Sequence, residues 1–441
     1  MTEDAGFRSR PRLTDGARSS LLERFRSRRP VSPAPVPRRN AMGSVREEFL
    51  RFDRHPEYVR LLVSQTAARQ FHVDNPFFRV HDAAAGATTM IGGREYINFS
   101  SYDYLGLNGH PRVRKAAVEA IERYGTSASA SRLVAGERPI QRELEHALAT
   151  FYGVEACIAF VSGHATNVST IGSLFGPKDL VLHDALAHNS IIEGIRLSGA
   201  HRRSFPHNDW EALDTLLSDI RGDFERVLIV IEGHYSMDGD IPDLPHFIEI
   251  KNRHGALLMV DEAHALGVLG LTGHGIAEHH GLPGDAVDIW MGTLSKTLAS
   301  CGGYIAGSRA LVELLKYTAP GFVYSVGLSP PLAATAIEAL RILQEEPWRV
   351  QRLRENGQIF LALAQARGID TGLSQGHSIT AAIIGSSLKA TRLSNRLFEK
   401  GINVQPIIHP AVEEKAARLR FFLSAMHDEG QLRLAIDCLV A

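Results

Sequence analysis

Short apolar runs punctuate the middle of the chain, and between them apolar residues return every three or four positions. The runs at 156–161, 180–182, 226–231, 257–260 and 289–291 predict strands. The periodic stretches at 113–124, 140–151, 210–218, 244–253 and 310–317 predict amphipathic helices. Strand and helix alternating at this pitch predict an α/β fold with a parallel sheet covered by helices on both faces. Upstream, 78–80 and 95–99 alternate as strands do, after a charged, helix-like stretch that begins at Ser44. Beyond Ser329-Pro330-Pro331 the pattern changes. A long helical stretch over 332–366 precedes strands near 379–384, 404–408 and 419–424 and a last helix, which predicts a smaller C-terminal α+β domain. The expected organisation is a tail over 1–43, an N-terminal segment over 44–98, a large domain over 99–330 and a small domain over 331–441.

The tail stands apart by composition. It carries ten arginines between Arg8 and Arg39 and a proline-rich piece from Pro30 to Pro37, with no apolar face to pack, and predicts a basic, solvated arm. Over all 441 residues, 48 Lys+Arg meet 49 Asp+Glu, a net charge of −1. No overall field is left to hold a nucleic acid or an anionic membrane. Three scattered cysteines (Cys157, Cys301, Cys438) make neither a disulfide framework nor a zinc spacing. No apolar run approaches the roughly 20 residues of a membrane span, and no charged start leads into an apolar core. A cytoplasmic α/β enzyme is the expectation.

Four segments carry chemistry. Leu257-Leu258-Met259-Val260-Asp261-Glu262-Ala263-His264 is an apolar strand ending in polar residues, and open parallel sheets bind ligands at such carboxyl ends. Asp261 is placed to meet a cofactor, although an acid after a strand more often caps a helix. Asp288-Ile289-Trp290-Met291-Gly292-Thr293-Leu294-Ser295-Lys296 offers the hydroxyls of Thr293 and Ser295 to a phosphate and Lys296 as an amine able to form an imine. Most lysines are surface lysines, so Lys296 gains weight only from its company. Phe160-Val161-Ser162-Gly163-His164-Ala165-Thr166-Asn167 is a strand, a tight turn and a helix start, whose free N–H groups suit a phosphate. In His183-Asp184-Ala185-Leu186-Ala187-His188, the last residue sits at another strand-to-helix turn, where an imidazole can stack on a flat ring.

Together these pieces describe a site for pyridoxal phosphate: a phosphate cradle, a stacking histidine, a carboxylate for a pyridine nitrogen and an imine-forming lysine. A dinucleotide site needs GxGxxG at the first strand, and the glycine-rich run at 267–275 has neither the spacing nor the place. His183, His188 and His264 have no helical or cysteine partner of metal-site spacing, so no metal is expected.

At this point the chain resembles the α-oxoamine synthases, within the fold-type I pyridoxal phosphate-dependent transferases. The resemblance covers about three quarters of the chain and rests on six motifs in order. They are Asn98-Phe99-Ser100-Ser101-Tyr102-Asp103-Tyr104-Leu105-Gly106, Ser131-Arg132-Leu133-Val134-Ala135-Gly136, Glu232-Gly233-His234-Tyr235-Ser236-Met237-Asp238-Gly239-Asp240, Val260 to His264, Gly292 to Lys296, and Ala417-Arg418-Leu419-Arg420.

The resemblance implies a homodimer with active sites at the subunit interface. It also implies a reaction that joins an amino acid (Gly, Ala or Ser) to an acyl thioester, releasing carbon dioxide and thiol. Lys296 would carry the cofactor, Asp261 would face its ring nitrogen, His264 its phenolic oxygen, and His188 would stack on the ring. Gly163, His164 and Thr293 would hold phosphate, with Ser236 near the ring, and Arg420 would take the substrate carboxylate. Three departures bear on substrate. Tyr102 stands where many relatives have Asn, as in long-chain-acyl members; Gln141 replaces a common His; and Tyr324-Ser325-Val326-Gly327-Leu328 replaces a hydroxyl-rich phosphate-binding stretch. They point to a member using fatty or polyketide acyl groups, on coenzyme A or on an acyl carrier protein that the basic tail would dock. The rival reading is an aminotransferase of the same fold.

Overall fold

The computed structural model describes residues 45–71 and 73–440. The basic tail lies outside them. Two compact units divide the described residues, one ending at Ala67 and one beginning at Ala68. In the first, short turns at Glu47–Phe49 and Phe52–Arg54 lead into the helix Pro56–Gln70, whose last three residues belong to the second, and Phe49, Phe52 and Val63 are exposed.

The second unit is built on a seven-stranded sheet. Its strands follow a hairpin of β1 (Thr88–Ile91) and β2 (Arg94–Asn98) and are β3 (Ala156–Phe160), β4 (Leu180–Asp184), β5 (His201–Phe205), β6 (Val227–Glu232), β7 (Leu257–Asp261), β8 (Ile289–Thr293) and β9 (Gly303–Gly307). They lie in the order β3-β9-β8-β7-β6-β4-β5, and only β9 runs against its neighbours. Alternation along each strand feeds two cores. Val227, Ile229 and Ile231 of β6 pack on one face with Phe247, Val260 and Trp290, while Leu228 and Val230 pack on the other with Met259, Ile305 and Leu315. A sheet buried on both sides reads as continuous apolar runs, and these runs are what made the strands visible.

Two strands of this sheet escaped the pattern. β5, His-Arg-Arg-Ser-Phe, is an exposed edge strand with a single buried residue. β9 begins at Gly303, where a Cβ would sit 2.4 Å from Thr166 Oγ1 and 2.7 Å from the Gly163 Cα. A strand that must pass so close to a helix start has to open on glycine. The expected strand at 78–80 is irregular, because Phe78 takes φ 60° and points to solvent. The expected long helix is two, Pro330–Glu345 and Trp348–Ala366, divided at Pro347.

Beyond them, β10 (Ile379–Ile383), β12 (Gln405–Ile407) and β13 (Arg418–Phe422) form an antiparallel sheet in the order β10-β13-β12. The short β11 (Ile402–Asn403) instead joins β2 in parallel, with Asn403 Nδ2 donating to Asn98 Oδ1 at 2.9 Å.

Ile229 is fully buried mid-strand. Ile229→Ala is expected to cost about 2–5 kcal/mol of unfolding free energy. A lowered denaturant midpoint with an unchanged slope checks it.

Candidate active site

The carboxyl ends of β3, β4, β6, β7 and β8 share one edge of the sheet, and the pairing register lines their chemistry up. Glu232 lies opposite Asp261, Asp261 opposite Met291, and Thr293 opposite Gly303. A cavity of about 210 Å³ opens there, lined among others by Gly163, His164, His188, Ser236, Asp261, His264, Thr293 and Lys296. Residues from five separate motifs therefore meet in one place. A larger cleft of about 670 Å³ lies at the opposite edge, around Val154, Leu257 and Ile289 where strands begin. Ligands of open parallel sheets bind at the carboxyl ends, and the smaller cavity holds the reactive groups.

On one side a helix begins at Gly163, capped by Ser162, whose Oγ accepts from Ala165 N at 3.4 Å. The N–H groups of Gly163 and His164 belong to its first turn and have no intrahelical acceptor. Facing them, Thr293 Oγ1 lies 2.7 Å from Ser295 Oγ and donates to Gly302 O at 2.9 Å. A Cβ on Gly163 would come within 2.9 Å of Thr293 Oγ1. Only glycine fits between the helix start and the hydroxyls, and the donors gathered there are those of a phosphate cradle.

The floor is polar and ordered. Asn167, one helical turn after Gly163, donates through Nδ2 to Asp261 Oδ2 and to Ser190 Oγ, both at 2.9 Å. Ala263 N donates to Asp261 Oδ1 at 3.0 Å. His188 caps the helix Asn189–Ser198; its N–H donates to Glu232 Oε1 at 2.7 Å, and its Nδ1 lies 2.7 Å from Ser190 Oγ. Burial, followed by the Lys296 charge, lowers the His188 pKa against the pull of Asp261, so its imidazole is neutral and able to lie against a ring. Burial and the facing Asp261 push the Glu232 carboxyl well up.

Lys296 reaches this floor from the loop after β8. Burial lowers its amine to about 8, against the opposing pull of Asp261 and Glu232. At pH 7 about a tenth of such an amine is free base, against less than one in a thousand for an ordinary lysine. His264 is held far below its usual value by burial and by Lys296 and Arg420, and its Nδ1 lies 2.6 Å from Tyr104 Oη.

Tyr102 and Arg420 lie beside the lining residues Lys296 and Ser236. Tyr102 packs edge-on against Phe422 at 4.8 Å, and Lys296 Nζ lies 5.6 Å from its ring centre. Arg420 Nη1 donates to Ser236 O at 2.9 Å, while its buried Nε has no partner.

Several contributors were not singled out from sequence. Asn167 and Ser190 follow named residues on their helices, and Glu232 ends a strand as Asp261 does, a signal that was available. His207 had none. Its ring joins Asp184 and Asp240 at 2.8 Å on either side, which raises its pKa to about 10 despite burial. The pair of carboxylates ties the end of β4 to the Glu232–Asp240 segment of the site.

Comparison with known proteins gives the family. The family profile "Aminotransferase class I and II" matches residues 94–439. The 8-amino-7-oxononanoate synthase of Thermoanaerobacter pseudethanolicus is 40% identical over 81% of this chain and 90% of its own. That of Symbiobacterium thermophilum is 42% identical over 79% and 88%. Serine palmitoyltransferase from S. paucimobilis, solved with PLP and myriocin bound, superposes with a TM-score of 0.83 at 28% identity, covering 87% of this chain and 96% of that one. The chain belongs to the α-oxoamine synthases, a family of fold-type I pyridoxal phosphate enzymes. It is a pyridoxal phosphate-dependent acyltransferase that condenses an amino acid with an acyl thioester and releases carbon dioxide. The cradle at Gly163, the depressed amine of Lys296 and the carboxylate of Asp261 fit that cofactor.

Two predictions follow from the charges. Uptake of pyridoxal phosphate by cofactor-free protein, timed by visible absorbance, is expected to accelerate with pH and level off above about 8, where Lys296 is deprotonated. His207 is protonated in the folded protein up to about 10, so its stabilisation is complete below its unfolded value near 6.5 and fades as pH rises through about 10. His207→Gln is therefore expected to cost about 3–5 kcal/mol at pH 6.5, and the gap in melting temperature from the wild type narrows toward pH 10.

Proposed function

We propose that this enzyme joins glycine, alanine or serine to an uncharged fatty or polyketide acyl group carried as a thioester, through the residues gathered at the carboxyl edge of the sheet. The observation that carries the reading is the one cavity in which Lys296, Asp261, His188 and His264 meet, with Arg420, whose buried Nε has no partner, bonded to Ser236 of its lining.

Pyridoxal phosphate, when bound, supplies an aldehyde for the amino group and a ring that accepts an electron pair from the α-carbon. Lys296 would attach it, then take the α-proton and later return one; a depressed amine serves both tasks. Asp261, oriented by Asn167, would keep a proton on the ring nitrogen. His188, at its helix cap, would lie against the ring, and His264, a neutral imidazole, would hydrogen-bond the phenolic oxygen. The Gly163 and His164 amides and the Thr293 hydroxyl would hold the phosphate, with Ser236 near the ring. Arg420 binds the substrate carboxylate with a planar fork that lysine lacks.

The acyl group is the less determined substrate. The name 8-amino-7-oxononanoate describes a product ending in a carboxylate, whose acyl donor carries that charge. The Tyr102 ring beside Lys296 and the likeness to a serine palmitoyltransferase support an uncharged chain. Coenzyme A and an acyl carrier protein are both within the proposal, the second through the basic residues of 1–43.

We place the enzyme in the cytoplasm, as a homodimer with 99–330 as the cofactor domain and 331–441 as the smaller domain. None of the described helices is long and apolar enough to cross a membrane. The dimer is supported by the family and by exposed Leu133, Val134, Tyr324 and Val326, on segments joined by Gly327 N donating to Ala130 O at 3.0 Å.

Lys296→Ala is expected to abolish both the visible absorbance of the holoenzyme and turnover. With the intact enzyme, thioester-dependent carbon dioxide and thiol release is the expected outcome. Formation of an oxo acid without a thioester would indicate the aminotransferase reaction, and a preference for acyl chains ending in a carboxylate would overturn the uncharged-chain assignment.

A further inference from the structure

We propose that the buried ion pair between Arg418 and Asp238 is the positioning device for Arg420, and sets how well the site recognises a carboxylate. This deepens the reading of Arg420 given above and rests on it. Along β13 the side chains alternate: Leu419 and Phe421 enter the core fully buried, and Arg418, Arg420 and Phe422 share the other face. The two arginines look equivalent in sequence, and their surroundings make them opposites. Arg418 is committed. Its Nη1 donates to Asp238 Oδ1 at 2.5 Å and to Met237 O at 3.2 Å, its Nε donates to Ala416 O at 2.9 Å, and both partners of the ion pair are about a tenth exposed. Arg420 is held at one corner by Ser236 O, its guanidinium carbon lies 4.6 Å from the Phe422 ring centre, and Nε is buried with no acceptor.

Both arginines rest on the same stretch, Ser236-Met237-Asp238. That stretch is a fixed post. Asp238 O accepts from Ser374 Oγ at 2.6 Å, and Gly239, at φ 79°, passes so close to β10 that a Cβ would lie 2.2 Å from Ile379 O. With Arg418 locked to the post, the two-residue spacing of an extended strand determines where Arg420 emerges. Neutralising Asp238 has a second effect. Paired with Arg418, Asp238 is not free to compete with the substrate's carboxylate for Arg420.

A buried ion pair seldom stabilises more than an apolar pair of the same volume, so removing both charges should spare the fold and loosen the geometry. The test compares spectral titrations of the holoenzyme with an amino acid and with its amide, which lacks the carboxylate: glycine and glycinamide, L-alanine and L-alaninamide, L-serine and L-serinamide. The expected result for Arg418→Met with Asp238→Leu is a fall of about tenfold or more in the ratio of amino-acid to amide affinity, the range of a lost charge-assisted contact. The amino-acid KM should rise to match, with kcat changed less than about threefold. Arg418→Lys, which keeps the ion pair and cannot serve Asp238 and Met237 O in the same fork, is expected to fall between that variant and the wild type. An unchanged ratio in the folded double variant overturns the positioning role. Arg420→Lys is the control for the underlying reading: if it too leaves the ratio unchanged, Arg420 does not bind the carboxylate and the proposal falls with it.

Discussion

The site depends on a lysine amine being taken out of water beside two carboxyl groups. Burial favours the neutral amine, and Asp261 and Glu232 oppose it; the balance leaves Lys296 near 8, where it accepts and returns a proton near neutral pH. That balance needs the two acids in one place, and the sheet puts them there. Glu232 and Asp261 are the last residues of adjacent parallel strands and are paired in register. A slip of one residue would turn each to the opposite face.

The segment from Glu232 to Asp240 does much of the assembling. It begins at the sheet edge, where Glu232 accepts from His188 N. At its far end Asp240 is tied through His207 to Asp184. Between them, Ser236 O and Asp238 receive the two arginines of β13. One loop thus links His188, the end of β4 and Arg420 through charged or charge-assisted contacts, whose directions and lengths are more restrictive than apolar packing. Loops of this kind locate a site more sharply than they stabilise a fold.

The family relation and the physical reading rest on different features. The relatives share sequence along four fifths of this chain. The geometry accounts for why particular positions tolerate one residue type: glycine at 163 because Thr293 is 2.9 Å from where a Cβ would be, and glycine at 303 because the same helix start passes behind it. Two glycines and two hydroxyls make the cradle, and no cation is needed in it.

Much of this was legible in the chain itself. The buried parallel strands announced themselves as apolar runs, and the acids, hydroxyls and lysine that follow those runs sit at the carboxyl ends because that is where a strand stops being apolar. What stayed hidden had no local signature. β5 is an edge strand of polar residues, β9 opens on a glycine needed by a neighbour remote in sequence, and Phe78 breaks an alternating stretch with a positive φ. Asn167 and Tyr104 lay inside quoted motifs without assigned tasks, because a hydrogen bond across 94 or 160 residues leaves no periodicity. His207 was one histidine among 20. The sequence by itself determined the class of fold and the chemical kinds of residue available, since local apolar pattern and side-chain type are properties of the chain. Only the tertiary structure decided which arginine is free and which is spent, and which histidine is neutral and which is charged, because those states depend on burial and on partners brought in from distant segments.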